Sequence, residues 1–181
     1  MFATLSAGLG DAFIAGFDTK YEYEFWRPVT AIHGGALDGN SLTEPDPLWA
    51  SLLVAPNHPS YFSTHAIADG TAATILMGFL GDEAFCATFG GLERCWDSIL
   101  AASQEGADSR IWGGIHFSFD GAAGLAAGHS IGQFALRQGT FQPVPEPSTW
   151  LTMLLGFAFI GWSFRRQRRH AHSNSLAVAA A

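Results

Sequence analysis

The stretch SRIWGGIHFSFD, residues 109–120, places a guanidinium, an imidazole and a carboxylate within twelve residues interrupted by a glycine pair. On an unbroken α-helix the step from Arg110 to His116 is about 600° of rotation, which leaves the two side chains roughly 120° apart. Gly113 and Gly114 remove that constraint, because they end or kink the helix carrying Arg110 and let a new segment begin near His116. In that segment His116 and Asp120 stand four apart, on one helical face. A carboxylate so placed holds one ring nitrogen and fixes the tautomer, leaving the other nitrogen for a ligand or a nucleophile's task. The competing reading of the same spacing is a surface histidine and aspartate capping a turn.

The 181 residues suffice for one domain with a modest core. Four of the nine basic residues (Arg165, Arg166, Arg168 and Arg169) sit near the C-terminus, behind all sixteen acids. Residues 1–149 therefore carry five cations against sixteen acids, a net of −11. Such a balance argues against nucleic acid as a partner, since phosphate contacts need a basic footprint. The five remaining cations are Lys20, Arg27, Arg94, Arg110 and Arg137, and any that converge make a local anion site in an acidic domain.

Lys20 and Arg27 are seven apart, about 20° short of two full turns, so a continuous helix would project both from one face. Glu24, four residues after Lys20, is a candidate partner for it, and Pro28 disturbs the helix after Arg27. Further along, HPSYFSTHA (58–66) has the form of a helix start, with Ser63 as N-cap before an apolar run. The serine hydroxyl, the N–H of Thr64 and the imidazole of His65 would all face an anion at that start.

The expected architecture is all-α, because four Ala- and Leu-rich stretches repeat apolar residues at three- and four-residue intervals. They are LSAGLGDAFIAGFDTKYEYEFW, HAIADGTAATILMGFLG, GLERCWDSILAASQ and DGAAGLAAGHSIGQFALRQ. His33 to Asn57 reads as a long loop leading into the HPSYFSTHA motif. Cys86 and Cys95 would pair only if Gly90 and Gly91 brought them together, and the expectation is a free buried thiol at each. The chain ends in a proline-rich linker, an uncharged apolar run from Trp150 to Phe164, and four arginines. Fifteen residues of helix rise about 22 Å, short of a ~30 Å hydrocarbon core, and snorkelling arginines bring the run to marginal spanning length.

Taken in series, K-x6-RP (Lys20 to Pro28), Ser63-Thr64-His65 and SR-x5-H-x3-D (Ser109 to Asp120) resemble the signature of the type 2 phosphatidic acid phosphatase and vanadium-dependent haloperoxidase superfamily. The flanking text DAFIAGFDTKYEYEFWRPVTAI and NHPSYFSTHA is more similar to the haloperoxidase-like bacterial branch than to the lipid phosphatases. That resemblance implies a helical bundle lacking helices that usually precede the K-x6-RP helix. It implies an oxyanion site of Lys20, Arg27, Ser63, Thr64 and Arg110, with His116 as covalent partner, Asp120 orienting it and His65 as general acid/base. Vanadate as cofactor would make the chain a haloperoxidase that oxidises halide with hydrogen peroxide. His58, where bromide-oxidising members tend to carry histidine, points to bromide or iodide. The same residues would serve an acid phosphatase acting on a phosphomonoester through a phosphohistidine. A third possibility is a catalytically degenerate envelope protein, completed by homodimerisation. The middle motif departs from the family's Pro-Ser-Gly-His: Phe62 and Thr64 replace the proline and glycine, and a β-branched residue narrows the approach to the anion.

The C-terminal segment resembles the PEP-CTERM sorting signal of Gram-negative bacteria in its Pro145-Glu146-Pro147 triplet, apolar helix and arginine stop. It implies export to the envelope or beyond, membrane anchoring and processing by an exosortase. Since MFATLSAGLGDAF has neither a basic n-region nor a sustained apolar core, a missing N-terminus is expected. The expected domains are a helical domain over 1–140, a linker over 141–149, a sorting and transmembrane helix over 150–169 and a disordered tail over 170–181.

Overall fold

The computed structural model describes residues 1–138, together with 155–160, 162 and 165. The chain divides into two compact units, Met1–Thr140 and Phe141–Ala181. In the second, residues 155–160 are helical. No helix among the described residues is long and apolar enough to cross a membrane. The expected linker, most of the expected sorting helix and the expected tail lie outside the described residues.

Among its described residues the first unit holds five α-helices: α1 (Phe2–Tyr23), α2 (Pro28–His33), α3 (Thr64–Leu80), α4 (Ile99–Trp112) and α5 (Ser118–Gln138). A 3₁₀ turn, Gly35–Leu37, follows α2 and opens the long connection expected between His33 and Asn57. Helix α3 is central, packing against α5 most extensively and also against α1 and α4. Side chains in contact give the directions. Gly8 meets Ile75 and Gly16 meets Ile67, so α1 runs antiparallel to α3. Gly124 lies on Ser63 and Gly132 on Thr74, so α5 runs parallel to α3. Asp69 lies on Gly106 and His65 on Arg110, so α4 is antiparallel to α3. The starts of α3 and α5 and the ends of α1 and α4 therefore gather at one end of the bundle.

Small residues, more than large apolar ones, set this packing. Ala12, Ala66, Ala73, Ala107 and Ala135 are all buried. A Cβ on Gly128 would stand 2.3 Å from the carbonyl oxygen of Ile67 and 2.8 Å from the nitrogen of Thr71, so α5 approaches α3 at backbone contact distance. The outer surface of α1 leaves Phe2, Ile14 and Tyr21 exposed.

Three expectations are corrected here. The unit is not wholly helical, since Phe85–Phe89 (β1) and Leu92–Trp96 (β2) form an antiparallel hairpin. Its two-residue loop is Gly90-Gly91, both at positive φ (58° and 81°), a backbone that glycine adopts without strain. The second correction follows from the first, because this register sets Cys86 opposite Cys95 and they form a disulfide instead of two free buried thiols. Helix α4 starts only at Ile99, capped by Ser98, whose Oγ accepts from the Ala101 N–H at 2.9 Å. Third, Lys20 and Arg27 do not share a helix. Glu24 ends α1 in the left-handed region (φ 45°), and Arg27 is the N-cap of α2 with Pro28 at its first position.

Candidate functional site

Helix α4 ends at Trp112, Gly114 turns the chain at φ 73°, and α5 begins two residues after His116. The glycine pair thus breaks the helix as its position implies. His116 is 5% exposed and Asp120 fully buried, and Nδ1 of the ring lies 2.9 Å from Asp120 Oδ2. On its other side, Nε2 lies 3.1 Å from Nη1 of Arg27. A guanidinium only donates, so Nε2 accepts and presents its lone pair, and Nδ1 carries the proton given to Asp120. Burial, joined by the charges of Arg27 and Lys20, holds the His116 pKa below its usual value against the pull of Asp120. The imidazole is therefore neutral, with the tautomer that can bind a Lewis acid through Nε2.

Ser60, which motif reading passed over, completes this group. It is fully buried, and its Oγ donates to Asp120 Oδ2 at 2.5 Å and lies 3.3 Å from His116 Nδ1. The only sequence signal was its place in the HPSYFSTHA loop. Arg27 is pinned over the same loop: Nε donates to the His58 carbonyl at 3.0 Å and Nη1 to the Ile115 carbonyl at 2.7 Å. His58 Nδ1 lies 3.1 Å from Arg27 Nη2, and its ring packs on Phe17, one contact away from His116. Burial holds the His58 pKa low, so it too is neutral.

Lys20 is fully buried, and its ammonium donates to the carbonyls of Pro59 (2.8 Å), Ser60 (2.9 Å) and Phe62. Glu24, the partner expected from sequence, is not among these acceptors; its own backbone N–H closes α1 on the Lys20 carbonyl. Lys20 thus shapes the loop that carries Ser60 and leads to Ser63. Burial first, then repulsion from Arg27, lowers its pKa to about 8.

Ser63 is the N-cap of α3, as its position implies; its Oγ accepts from the Ala66 N–H at 3.4 Å, and its own N–H donates to the Asp120 carbonyl. Thr64 Oγ1 is buried with no hydrogen-bond partner among the described residues. His65, exposed, meets Arg110 on α4, with Nε2 3.2 Å from Nη1, so this ring also accepts at Nε2. Partial desolvation of the ring, then the Arg110 charge, lowers its pKa. The structure therefore forms two groups, Arg27–His116–Asp120–Ser60 with Lys20 behind the loop, and His65–Arg110. The start of α3 stands between them.

These residues suit an oxyanion-held metal centre of the vanadate type. Lys20 and Arg27 are buried around a single buried carboxylate, Asp120, burial lowers the pKa of both cations despite its charge, and the neutral imidazole of His116 is an acceptor at Nε2. Thr64 Oγ1 at the α3 start is a hydroxyl lacking an acceptor. Among the described residues no group of three or more His, Cys, Asp or Glu side chains is placed to chelate a bare cation. One imidazole and several hydrogen-bond donors serve an oxyanion instead.

Residues 143–169 match the PEP-CTERM protein-sorting motif. No curated protein matches the chain. Among solved structures, a bacterial vanadium-dependent iodoperoxidase is 30% identical, with a TM-score of 0.65 over 74% of this chain and 32% of that one. Apo and holo forms of a bacterial vanadium-dependent chloroperoxidase share the fold at 21% and 20% identity. Their TM-scores are 0.57 and 0.60, over 70% and 74% of this chain and 33% and 34% of theirs. The chain thus spans about a third of the length of these neighbours. Residues 1–142 match the family model described as VCPO second helical-bundle domain, and the chain belongs to this family of vanadium haloperoxidase helical domains.

Proposed function

We propose that the gathered helix ends bind vanadate and that the chain oxidises iodide or bromide with hydrogen peroxide. The observation that carries this reading is the hydrogen-bonded series Arg27–His116–Asp120, in which a neutral imidazole turns its Nε2 acceptor toward a buried guanidinium that a bound anion would displace from it. Vanadate held there supplies a Lewis-acid centre that activates hydrogen peroxide toward halide. His116 Nε2 is its ligand, with Asp120 and Ser60 fixing the ring. Arg27, Arg110 and Lys20 offset the anion's charge, while the Ser63 hydroxyl and the Thr64 N–H cradle its oxygens at the positive end of α3. His65, unprotonated at neutral pH, would take up and return a proton at Nε2 beside the bound anion. His58, neutral and packed at a tilt against Phe17 beside Arg27, is the residue through which halide choice is set. The 30% identity to an iodoperoxidase favours iodide.

The reading also includes export. The sorting motif implies handling by an exosortase and delivery to the envelope of a Gram-negative cell. The Cys86–Cys95 disulfide belongs to an oxidising compartment, which supports the same destination.

The deciding experiment measures iodide and bromide oxidation by the purified chain with peroxide, with and without orthovanadate, beside hydrolysis of p-nitrophenyl phosphate. Vanadate-dependent halide oxidation is the expected result. Phosphate hydrolysis without it would establish the phosphomonoesterase alternative, in which the same Nε2 lone pair attacks phosphorus.

A further inference from the structure

Where α1 gives way to α2, the chain builds a cavity of about 500 Å³ with the stretch from Ala55 to Pro59. Small-molecule sites commonly measure about 300–1,000 Å³. Three aromatic side chains line it, Tyr21, Phe25 and Trp26, together with Pro56 and His58. Its walls are held in place. The left-handed turn at Glu24 precedes Phe25, whose carbonyl accepts from the Ser60 N–H at 2.8 Å and whose ring meets Phe117 and Phe119 edge-on at 5.7 and 5.3 Å. Arg27 is the buried member of the lining, so its guanidinium forms the floor. The chemistry of that floor selects the occupant, because all five N–H donors of Arg27 are taken. Nε is held by the His58 carbonyl at 3.0 Å, Nη1 by the Ile115 carbonyl at 2.7 Å and His116 Nε2 at 3.1 Å, and Nη2 by His58 Nδ1 at 3.1 Å and the Pro59 carbonyl at 3.3 Å. These donors lie in the guanidinium plane, so what remains for a ligand is the flat cationic face, which attracts the π face of an electron-rich ring. Glu24 adds a second constraint: its exposed carboxylate lines the same cavity and takes no hydrogen bond among the described residues. It repels anions and can accept from an O–H or N–H.

We propose that this cavity binds a neutral, electron-rich arene bearing an O–H or N–H, of the phenol or indole kind, as the acceptor of the oxidised halogen. Arg27 is shared between the cavity floor and His116 Nε2, so the ring docks one residue away from the anion site. A ring carbon attacks the halogen of hypohalous acid: the carbon–halogen bond forms, the halogen–oxygen bond breaks, and the departing hydroxide takes up the ring proton as water. Peroxide has already oxidised the halide, so the step needs no further oxidant. This inference rests on the function proposed above, which supplies the hypohalous acid, and it names the organic substrate of that reaction.

The full-length chain provides the test, first without orthovanadate, halide or peroxide. Calorimetric titration with 2-naphthol should show saturable binding, weakened on the order of 3–10-fold in Trp26→Ala, which removes a wall, and lost in Ala55→Trp, which fills the cavity. 2-Naphthoate, the same ring carrying an anion, should bind several-fold more weakly than 2-naphthol, and Glu24→Gln should narrow that gap. With orthovanadate, iodide and peroxide added, Trp26→Ala should raise the KM for 2-naphthol by the same factor and leave triiodide formation in the absence of an acceptor unchanged. A merely structural tryptophan would not split the two readouts. Non-saturable binding, binding within about twofold of wild type in both folded variants, 2-naphthoate bound as tightly as 2-naphthol, or a KM unmoved by Trp26→Ala overturns the proposal. If Trp26→Ala and Ala55→Trp do not fold, the 2-naphthoate comparison in the wild type and Glu24→Gln decides. A chain that binds 2-naphthol but oxidises no iodide keeps the arene site, while the acceptor role falls together with the function proposed above.

Discussion

His116 Nδ1 and Asp120 Oδ2 lie 2.9 Å apart, one turn from each other at the start of α5, and both side chains are buried. The proton between them determines which ring nitrogen faces Arg27. An Asn at 120 offers an N–H where the carboxylate accepted, and so favours the opposite tautomer, with the lone pair turned away from the site. Asp120→Asn should weaken orthovanadate binding by about 10–100-fold while retaining the fold, the scale found when a metal ligand loses its orienting partner. Calorimetry and circular dichroism on the same sample check both parts.

Ser60 donates to the carboxylate that orients His116. Ser60→Ala leaves Oδ2 with the His116 ring and the Phe117 N–H but removes the hydroxyl, at a cost on the order of 1–2 kcal/mol of stability. Urea denaturation should show a lower midpoint with an unchanged slope.

At Gly128 the backbone of α5 lies against that of α3. Gly128→Ala puts a methyl 2.3 Å from the Ile67 carbonyl, which only separation of the helices relieves. The expected loss is roughly 1–3 kcal/mol by overpacking, with weaker anion binding because the starts of both helices shift. Gly10→Ala is the control: its Cβ meets nothing within 4 Å, and alanine favours the helix.

Lys20 supplies the pH dependence. Its pKa is about 8 in the folded chain against 10.5 for a free side chain, so between those values the unfolded chain binds more protons than the folded one. Stability therefore rises with pH across that window, and protonating Lys20 below it leaves the buried charge as a full penalty. Between pH 7.5 and 9.5 the wild type should gain on the order of 1 kcal/mol relative to Lys20→Met. Denaturant melts at the two pH values measure the difference; a parallel response of the two proteins would exclude this assignment.

The readings that held were local ones. Ser63 caps α3, Gly113 and Gly114 break the chain after Arg110, and His116 meets Asp120 four residues on. Each depends on capping or on i,i+4 geometry, which a few neighbouring residues settle. Extending a helical pattern through Leu92 failed because Gly90-Gly91 favours a hairpin loop, a signal as local as the others but masked by the alanines that follow. The one-face placement of Lys20 and Arg27 assumed a helix that Glu24 ends.

From residue order alone came the identities of the cations, the histidines and the helix starts, because their spacing expresses backbone geometry within a turn or two. Their meeting was decided by the folded chain: Arg27 and His116, 89 residues apart, touch only because a parallel α3–α5 pair, close-packed at its glycines, sets two helix starts beside two helix ends. The seat of the Lys20 ammonium and of the Asp69 carboxyl was likewise set there, since burial in a low-dielectric interior is a property of everything packed around a group and not of its neighbours along the chain.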